Sequence, residues 1–587
     1  MDSGRFVIRG GTVVDGSGDE PFVADVLVEG GYITKVEHGI HTSAHSVDAE
    51  GLLVTPGWID IHTHYDGQLT WDPLLRPSCW HGVTTAVTGN CGIGFAPVKP
   101  TGQKLLVEMM ESTEDIPARC LEEAIDWNWE TFPQYMDSVA GRTYAMDIGV
   151  QVPHAALRFY VMGERGARNE PATTAESSEM ARIVAESLRK GALGFSFSRT
   201  KAHTYLDGWQ PGTLSGIEEL KPIAEAIAEE GGAPIMFSPR GVTGLYPSER
   251  EGEIRLAAEL SRTSHGPVMM CLIQHAHDPE EWKSVLTLFE AATDSGAEVF
   301  GQVTGRSIVT LGGFSTKFNP FMHGEDWPAL SALTNSEIAQ RIQSDEALRD
   351  RLIESAESTR NVWQSRKFFE QGTYPLIPLG ETSPQYEPFE SIAVISERTR
   401  KNPLEIMLDV LCSHDGNGLL NYPHYNYAEG NLDAVYEMLQ HPNSRLGLSD
   451  AGAHLETLSD ASLFTFMLTH WARDRSNGIP LASVVRMMTA EPAEIFNLSD
   501  RGRIADSYKA DINVIDYSSL EVGIPWLEHD VPGGGSRLLQ KPEGYVHTFV
   551  SGIETFTNGE ATGNPVSYTH LRAHETVLDL VCRLLLE

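Results

Sequence analysis

Residues Gly57–Gly92 read GWIDIHTHYDGQLTWDPLLRPSCWHGVTTAVTGNCG, and this stretch decides how the rest of the chain is interpreted. Two short apolar runs in it predict buried strands, the first leading into His62 and His64 and the second into Cys91. Side chains two positions apart on a strand share a face, so both histidines point the same way. Because zinc prefers imidazole and thiolate ligands, the stretch predicts part of a metal site. A chance His-x-His pair and a buried structural cysteine are the alternative.

Eight apolar runs alternate with helical stretches in the middle of the chain. Eight buried parallel strands that alternate with helices predict an α/β fold, a (β/α)8 barrel, for residues 57–497. In such barrels the functional side chains lie at the C-terminal ends of the strands. The runs are VTPGWIDIHTH, GVTTAVTGNCG, AMDIGVQVPH, GALGFSFSR, APIMFSPR, PVMMCLIQHAH, AEVFGQVTGR and SRLGLSDAGAH.

Both ends of the chain have strand character. Residues 1–56 and 498–566 alternate apolar and polar positions between glycines, which predicts one small composite β-sandwich built from both ends. Residues 307–400 form a long insertion before the last barrel strand, interpreted either as a lid over the site or as a helical decoration. Residues 567–587 resemble a translated cloning adaptor, and this stretch, with His570, His574 and Cys582, is treated as a non-native tail.

Composition narrows the function. The 587 residues include 81 acidic and 44 basic ones, for a net charge of −37, and this surplus repels nucleic acid and anionic membranes. Neither is expected as a partner. A cytoplasmic protein is expected, because the chain shows no signal-peptide pattern and no run of about 18 apolar residues. The six cysteines predict no disulfide framework, and four are expected to be buried thiols: Cys79, Cys120, Cys271 and Cys412.

Two further strand ends carry candidate site residues. Asp450 follows the eighth strand, where a carboxylate can bind metal and transfer protons, although an Asp-Ala-Gly turn also explains it. His275 and His277 follow the sixth strand as a second His-x-His pair, in which His275 is the better metal ligand.

A small anionic substrate would need local positive charge on so acidic a protein. Three arginines, at the ends of the fourth, fifth and seventh strands, could form a bidentate clamp for a substrate carboxylate. Structural ion pairs are the competing interpretation. The arginines are Arg199, Arg240 and Arg306.

The segments PGWIDIHTHYD, GVTTAVTGNCG, GALGFS, LSDAGAH and ADINVID together resemble the amidohydrolase superfamily, and within it the N-acyl-D-amino-acid deacylases. The resemblance implies a metal-bearing barrel that hydrolyses the amide bond of N-acyl-D-amino acids with water activated by one or two zinc ions. It implies Asp450 as the general base. The implied metal ligands are His62, His64, Cys91 and His275.

Two positions depart from the family's pattern. Ser238 stands at the end of the fifth strand, where the resemblance implies a metal-binding histidine, and a hydroxyl is a poor zinc ligand beside imidazole. His277 lies near a position where the family has a lysine, and it is a candidate for substrate binding together with the three arginines.

Three interpretations of function stay open on the sequence: the deacylase, a cyclic amidase of the hydantoinase or dihydropyrimidinase type, and a barrel that binds a small molecule without turning it over. Cys91 favours the deacylase, because the family's cyclic amidases bridge their metals with a carboxylated lysine. A small-molecule partner is expected in each case. The acyl group, side chain and stereochemistry of the substrate, and whether the chain forms homo-oligomers, are left open.

Overall fold

The computed structural model describes residues 4–205, 208–240, 247–359, 374–376, 391–458 and 460–564; the predicted tail lies outside them. Eight parallel strands follow one another in chain order in one sheet. Thr63 pairs in parallel with Ala451, and the His64 N–H donates to the Ala451 carbonyl at 2.7 Å, so the first and last strands meet. The predicted barrel fold is confirmed. Its strands are Trp58–Asp60, Val83–Thr88, Asp147–Pro153, Gly194–Ser198, Ile235–Ser238, Val268–Cys271, Val299–Val303 and Ser444–Leu446.

Helices connect the strands. The Thr174–Lys190 helix shows why one begins and ends where it does: the Thr173 side chain accepts from the Glu176 N–H, and Gly191 ends the helix with a φ of 115°. Apart from short 3-10 turns, the other helices of the described residues are Gln103–Glu114, Ala118–Ala124, Phe132–Ala140, His154–Met162, Glu164–Ala167, Ile217–Glu229, Arg250–Ser264, Glu281–Asp294, Trp327–Leu330, Asn335–Ser344, Glu346–Ser358, Ile392–Thr399, Pro403–Gly416, Asp433–Leu439, Leu463–Phe466, the π-helical Met467–Asp474, Leu481–Met488 and Ala490–Ile495.

Strands from both ends of the chain form one continuous nine-stranded sheet. Leu53–Pro56 joins the two halves, because it pairs with Arg5–Val13 on one side and with Ile512–Ile515 on the other. Buried apolar side chains from both ends share one core. The remaining strands of this sheet are Phe22–Glu29, Tyr32–Glu37, His45–Asp48, Tyr545–Val550, Ile553–Thr557 and Glu560–Ala561.

The insertion before the eighth barrel strand is longer than the sequence suggested. Its strand Ile308–Gly312 pairs antiparallel with Leu419–Tyr425, so the chain returns to the barrel only after residue 425 rather than near residue 400. The helix Pro403–Gly416 explains the difference, since its apolar side chains pack into a hydrophobic core of the insertion itself. Tyr374–Leu376 adds a third strand to the pair.

A buried ionic cluster joins the barrel to the composite sheet. Asp147, at the start of the third barrel strand, accepts from Arg501 Nη1 at 2.7 Å and also pairs with Lys509. The Trp58 indole also donates to the Tyr545 hydroxyl of the composite sheet at 3.0 Å.

Within the described parts of the chain, no helix has the length and apolar character needed to cross a bilayer.

Candidate metal centre

Three donor side chains converge at the C-terminal ends of the first two barrel strands. The donor atoms of His62, His64 and Cys91 all lie within 4.8 Å of one another, and all three residues are buried. The Cys91 Sγ lies 3.5 Å from His62 Nε2. This places together the three residues that the opening stretch of sequence predicted.

The Gly-Asn-Cys-Gly turn directs Cys91 into the barrel. Cys91 has a left-handed φ of 53°, an uncommon conformation for a residue other than glycine, which surrounding contacts must hold in place. The Asn90 amide donates to the carbonyls of Thr63 and Val87 at 3.1 and 3.0 Å, and the Gln210 amide donates to the Cys91 carbonyl at 2.9 Å. Gly92 has to be glycine, since a Cβ there would lie 2.7 Å from the Cα of Phe197.

Hydrogen bonds fix the orientation of His62. Its Nδ1 lies 2.7 Å from Gln302 Oε1, an atom that only accepts, so Nδ1 carries the proton and Nε2 is left for a ligand. The opposite orientation of the Gln302 amide would turn its oxygen toward the sulfurs of Met236 and Met269, which now face the amide nitrogen. Gln302 thereby selects the imidazole form that binds a metal through Nε2.

Asp450 reaches the same centre from the end of the eighth strand. Its Oδ1 lies 3.3 Å from His62 Nε2 and 3.7 Å from His64 Nε2. About a quarter of the side chain is exposed, so it contacts the barrel mouth as well as the buried histidines. Ser449, just before it, donates to Asp60 at 2.6 Å and to the His62 carbonyl at 3.0 Å, which ties the two strand ends together.

The electrostatics of the centre favour charged forms of its members. Burial disfavours the His62 imidazolium, but the neighbouring Cys91 and Asp450 outweigh it and raise the pKa of His62 to about 9. Burial likewise opposes the Cys91 thiolate, yet His62 and His64 hold the pKa of the thiol below its usual range. Against burial, contacts with His64 and His62 keep the pKa of Asp450 well below its ordinary value. A bound cation would take the place of the protons on the two histidines.

The structure places the sixth-strand candidate differently from the prediction. Within the described residues, His275 does not join the group of three donors. The sixth strand ends at Cys271, four residues earlier, and the chain has left the barrel before His275. His275 is half-buried against the ring of Tyr425, and its Nδ1 accepts from the N–H of the exposed His277 at 3.0 Å.

Ser238 and Cys271 lie where the fifth and sixth strands end. Register pairs Phe237 with Met270, so the next residues, Ser238 and Cys271, lie side by side with Oγ and Sγ 3.8 Å apart. The Ser238 Oγ is also 3.3 Å from Cys91 Sγ. A hydroxyl therefore faces the centre from the fifth strand, as the sequence predicted. Cys271 is only partly buried, whereas Cys79, Cys120 and Cys412 are buried as expected.

Each predicted clamp arginine already has a carboxylate partner. Arg199 Nε donates to both oxygens of Glu253 at 3.0 and 2.9 Å. Arg240 pairs with the same Glu253 at 3.5 Å and lies 3.2 Å from a Glu249 oxygen. The fully buried Arg306 lies 3.4 Å from Asp460. The three do not form the predicted clamp, and the ion-pair interpretation describes them in this structure.

Sequence reasoning missed two residues that contact the centre. Gln302 lies within the apolar run of the seventh strand, and a lone buried glutamine carries no motif. Glu114 ends a helix between the second and third strands, and its Oε2 lies 3.6 Å from His64 Nε2. No spacing relative to a strand end marks Glu114, because a connecting helix rather than the sheet brings it to the site.

Comparison with known proteins assigns the chain to a family. A profile described as Amidohydrolase family matches residues 46–555. The chain belongs to the amidohydrolase family. The resemblance drawn from the sequence motifs is thereby confirmed, and family membership makes the protein a hydrolase that acts on carbon–nitrogen bonds.

Relatives of this amidohydrolase are distant. An uncharacterized protein of Mycobacterium tuberculosis is 26% identical over 617 aligned positions, covering 97% of this chain and 96% of its own. The N-acyl-D-glutamate deacylase of Alcaligenes xylosoxydans xylosoxydans is 25% identical over 575 positions and covers 95% of both chains. The N-acyl-D-glutamate deacylase of Bordetella bronchiseptica, solved with zinc and a phosphonate inhibitor, has a TM-score of 0.63 at 22% identity, covering 97% and 99% of the two chains. This likeness shows the fold.

Proposed function

We propose that this amidohydrolase is a zinc-dependent deacylase that hydrolyses the amide bond of N-acyl amino acids, with the D configuration preferred. One observation carries the proposal: His62, His64 and Cys91 converge beside Asp450 at the C-terminal end of the barrel. A relative named for N-acyl-D-glutamate deacylation, similar over 95% of this chain, supports the substrate class. The proposed partner is a small N-acyl amino acid.

The donor set fits a zinc ion. Two imidazoles and a thiolate are ligands typical of zinc, and catalytic zinc sites use three protein ligands with one position left for water or substrate. The His64 Nδ1 and the Glu114 Oε1 are buried and make no hydrogen bond to the described residues, as expected of a site whose charges need a further partner. Zinc held by His62, His64 and Cys91 would supply Lewis-acid chemistry, activating water and polarising the amide carbonyl.

Asp450 would move the proton that amide hydrolysis requires. Its depressed pKa keeps it a carboxylate at neutral pH, so it can accept a proton from the attacking water. The same group then donates that proton to the departing nitrogen, which leaves poorly without it. The partly exposed side chain gives Asp450 access to a substrate in the barrel mouth.

Arg240 is the arginine that we retain for the substrate carboxylate. Its side chain is 19% exposed, against 7% for Arg199 and 0% for Arg306, so it meets solvent without leaving its ion pairs. Arg240 lies two residues after Ser238, and Ser238 faces Cys91 in the metal centre. A substrate carboxylate bound there would share Arg240 with Glu249.

A substrate panel tests the proposal. Purified protein is dialysed, its metal is counted, and N-acetyl-D- and N-acetyl-L-amino acids are assayed beside hydantoin and dihydrouracil. We expect bound zinc and turnover of the N-acetyl-D compounds. Preferred turnover of a cyclic compound would replace the proposal with the cyclic amidase, and ligand binding without turnover would replace it with the binding protein.

Replacement of the thiolate ligand tests the metal. Cys91→Ala should lose bound zinc and turnover together, because it removes one of three donors. Cys412→Ala is the matched control, since Cys412 is an equally buried thiol in the core of the insertion. A Cys91→Ala protein that keeps full zinc and full activity would refute the proposed centre.

A further inference from the structure

Glu114 is a buried carboxylate that lies beside the metal centre. Its side chain is only 4% exposed, and Oε2 lies 3.6 Å from His64 Nε2 and 4.0 Å from His454 Nε2. Its other oxygen, Oε1, is buried and makes no hydrogen bond to any described residue. Burial of a carboxylate with an unsatisfied oxygen is costly unless a cation or a donor compensates it.

The backbone holds Glu114 firmly at this place. It is the last residue of the Gln103–Glu114 helix, whose apolar side chains Met109 and Met110 lie in the main core of the barrel. The Glu114 carbonyl accepts from the N–H of His454 at 2.6 Å, which ties the end of the helix to the loop after Asp450. The carboxylate therefore approaches the site on a packed helix end that is joined to the eighth-strand loop.

The centre lacks one strong donor that Glu114 could supply. Ser238 presents a hydroxyl from the fifth strand, and a hydroxyl binds zinc weakly beside imidazole, thiolate or carboxylate. Glu114 and Asp450 lie at nearly equal distances from His64 Nε2, 3.6 and 3.7 Å, so both carboxylates border the same nitrogen. One of them can bind the cation while the other keeps a free oxygen for proton transfer. Among the described residues, only His62, His64 and Cys91 have donor atoms that all lie within 4.8 Å of one another, so the Glu114 side chain would turn toward the centre to bind the cation.

We propose that Glu114 is a metal ligand of this centre, completing a His62–His64–Cys91–Glu114 donor set to which water would add as a fifth ligand, and leaving Asp450 to transfer protons. The inference rests on the metal of the proposed function, and it is independent of the substrate. A carboxylate from the connecting helix would thus supply the strong donor that the fifth strand, which presents the Ser238 hydroxyl, lacks.

Metal binding by Glu114→Gln and Glu114→Leu tests this proposal without an activity assay. Zinc affinity is measured by competition with a chelator, and the absorption spectrum is recorded with Co²⁺ in place of zinc. Both variants should bind zinc at least about tenfold more weakly. Their cobalt d–d bands should shift because one ligand is lost, whereas the thiolate-to-cobalt band from Cys91 should persist.

Glu111→Gln is the matched control, because Glu111 lies about one turn earlier on the same helix and is exposed. Its side chain accepts a hydrogen bond from the Ala118 N–H at 2.8 Å, and glutamine can still accept that bond. Thermal unfolding of the metal-free proteins checks that each variant folds. If Glu114→Leu does not fold, the isosteric Glu114→Gln still tests the proposal.

The spectrum decides between a ligand and a positioning role. Unchanged d–d bands in both variants would overturn the proposal even if affinity fell, because Glu114 would then act only through His64. A wild-type protein that binds no metal would overturn both this proposal and the proposed function. Metal binding without turnover of any N-acyl amino acid would refute the substrate proposal alone. The cobalt spectra would still decide whether Glu114 is a ligand.

Discussion

Gln302 offers a sharp test of how the fold prepares His62 for a metal. Gln302 is 1% exposed, and its only strong hydrogen bond to a described residue is the 2.7 Å contact with His62 Nδ1. In Gln302→Met this bond is lost while the volume changes little, and the sulfur joins the sulfurs of Met236 and Met269 already there. The His62 Nδ1–H is then buried with no strong acceptor.

The expected loss can be bounded in two ways. Removal of a partner that orients a metal-binding histidine typically costs 10–100-fold in metal affinity, which is about 1.4–2.7 kcal/mol. A buried donor left without a partner costs about 1–3 kcal/mol, a range that overlaps the first. We therefore expect Gln302→Met to bind zinc about 10–100-fold more weakly than the wild type.

Chelator competition measures this affinity directly. Gln302→Glu is the matched variant, because a carboxylate still accepts from Nδ1 and should preserve affinity or increase it. Thermal unfolding of the metal-free proteins separates a folding defect from a ligand defect. If Gln302→Met binds zinc within twofold of the wild type, Gln302 does not orient His62 for a metal, and the assignment of Nε2 as the ligand atom loses its basis.

Two further predictions concern proton transfer and acid stability. Asp450→Asn should lower turnover about 10²–10⁴-fold with zinc retained, and a loss below tenfold, judged against the exposed-site control Asp506→Asn, would remove Asp450 from the proton-transfer role. Burial raises the pKa of Glu219, but His154 and Arg158 outweigh it and hold this pKa at about 2. Ionised Glu219 therefore stabilises the fold fully above its ordinary pKa of 4.5, and this stability is lost as the pH falls toward 2. Denaturant unfolding should show the difference in unfolding free energy between wild type and Glu219→Gln shrinking by about 2 kcal/mol from pH 7 to pH 3, and a constant difference would contradict the shift.

The prediction of the barrel succeeded because its signal is local. Strands buried on both faces are apolar along their whole length, so each of the eight runs stands out in the sequence whatever packs around it. The ends of the same runs marked His62, His64, Cys91 and Asp450, because a strand end fixes where the next side chain emerges.

Long-range contacts explain what the sequence analysis missed. His275 looked like a ligand by its spacing, but the strand before it ends at Cys271, and only the pairing with neighbouring strands shows that. The ion pairs of Arg199 and Arg240 depend on Glu253, more than a dozen residues away from either of them. Charge alone could not reveal which arginine was already neutralised.

The sequence by itself determined the barrel, the composite sheet from both chain ends and the half of the candidate site that lies in the Gly57–Gly92 stretch. Only the tertiary structure decided what surrounds that half-site: Gln302 behind His62, Ser238 beside Cys91 and Glu114 against His64. The physical reason is distance along the chain. Periodicity and turn chemistry are written in neighbouring residues, whereas the hydrogen bonds and ion pairs that set the chemistry of a site join residues that only the closed barrel brings together.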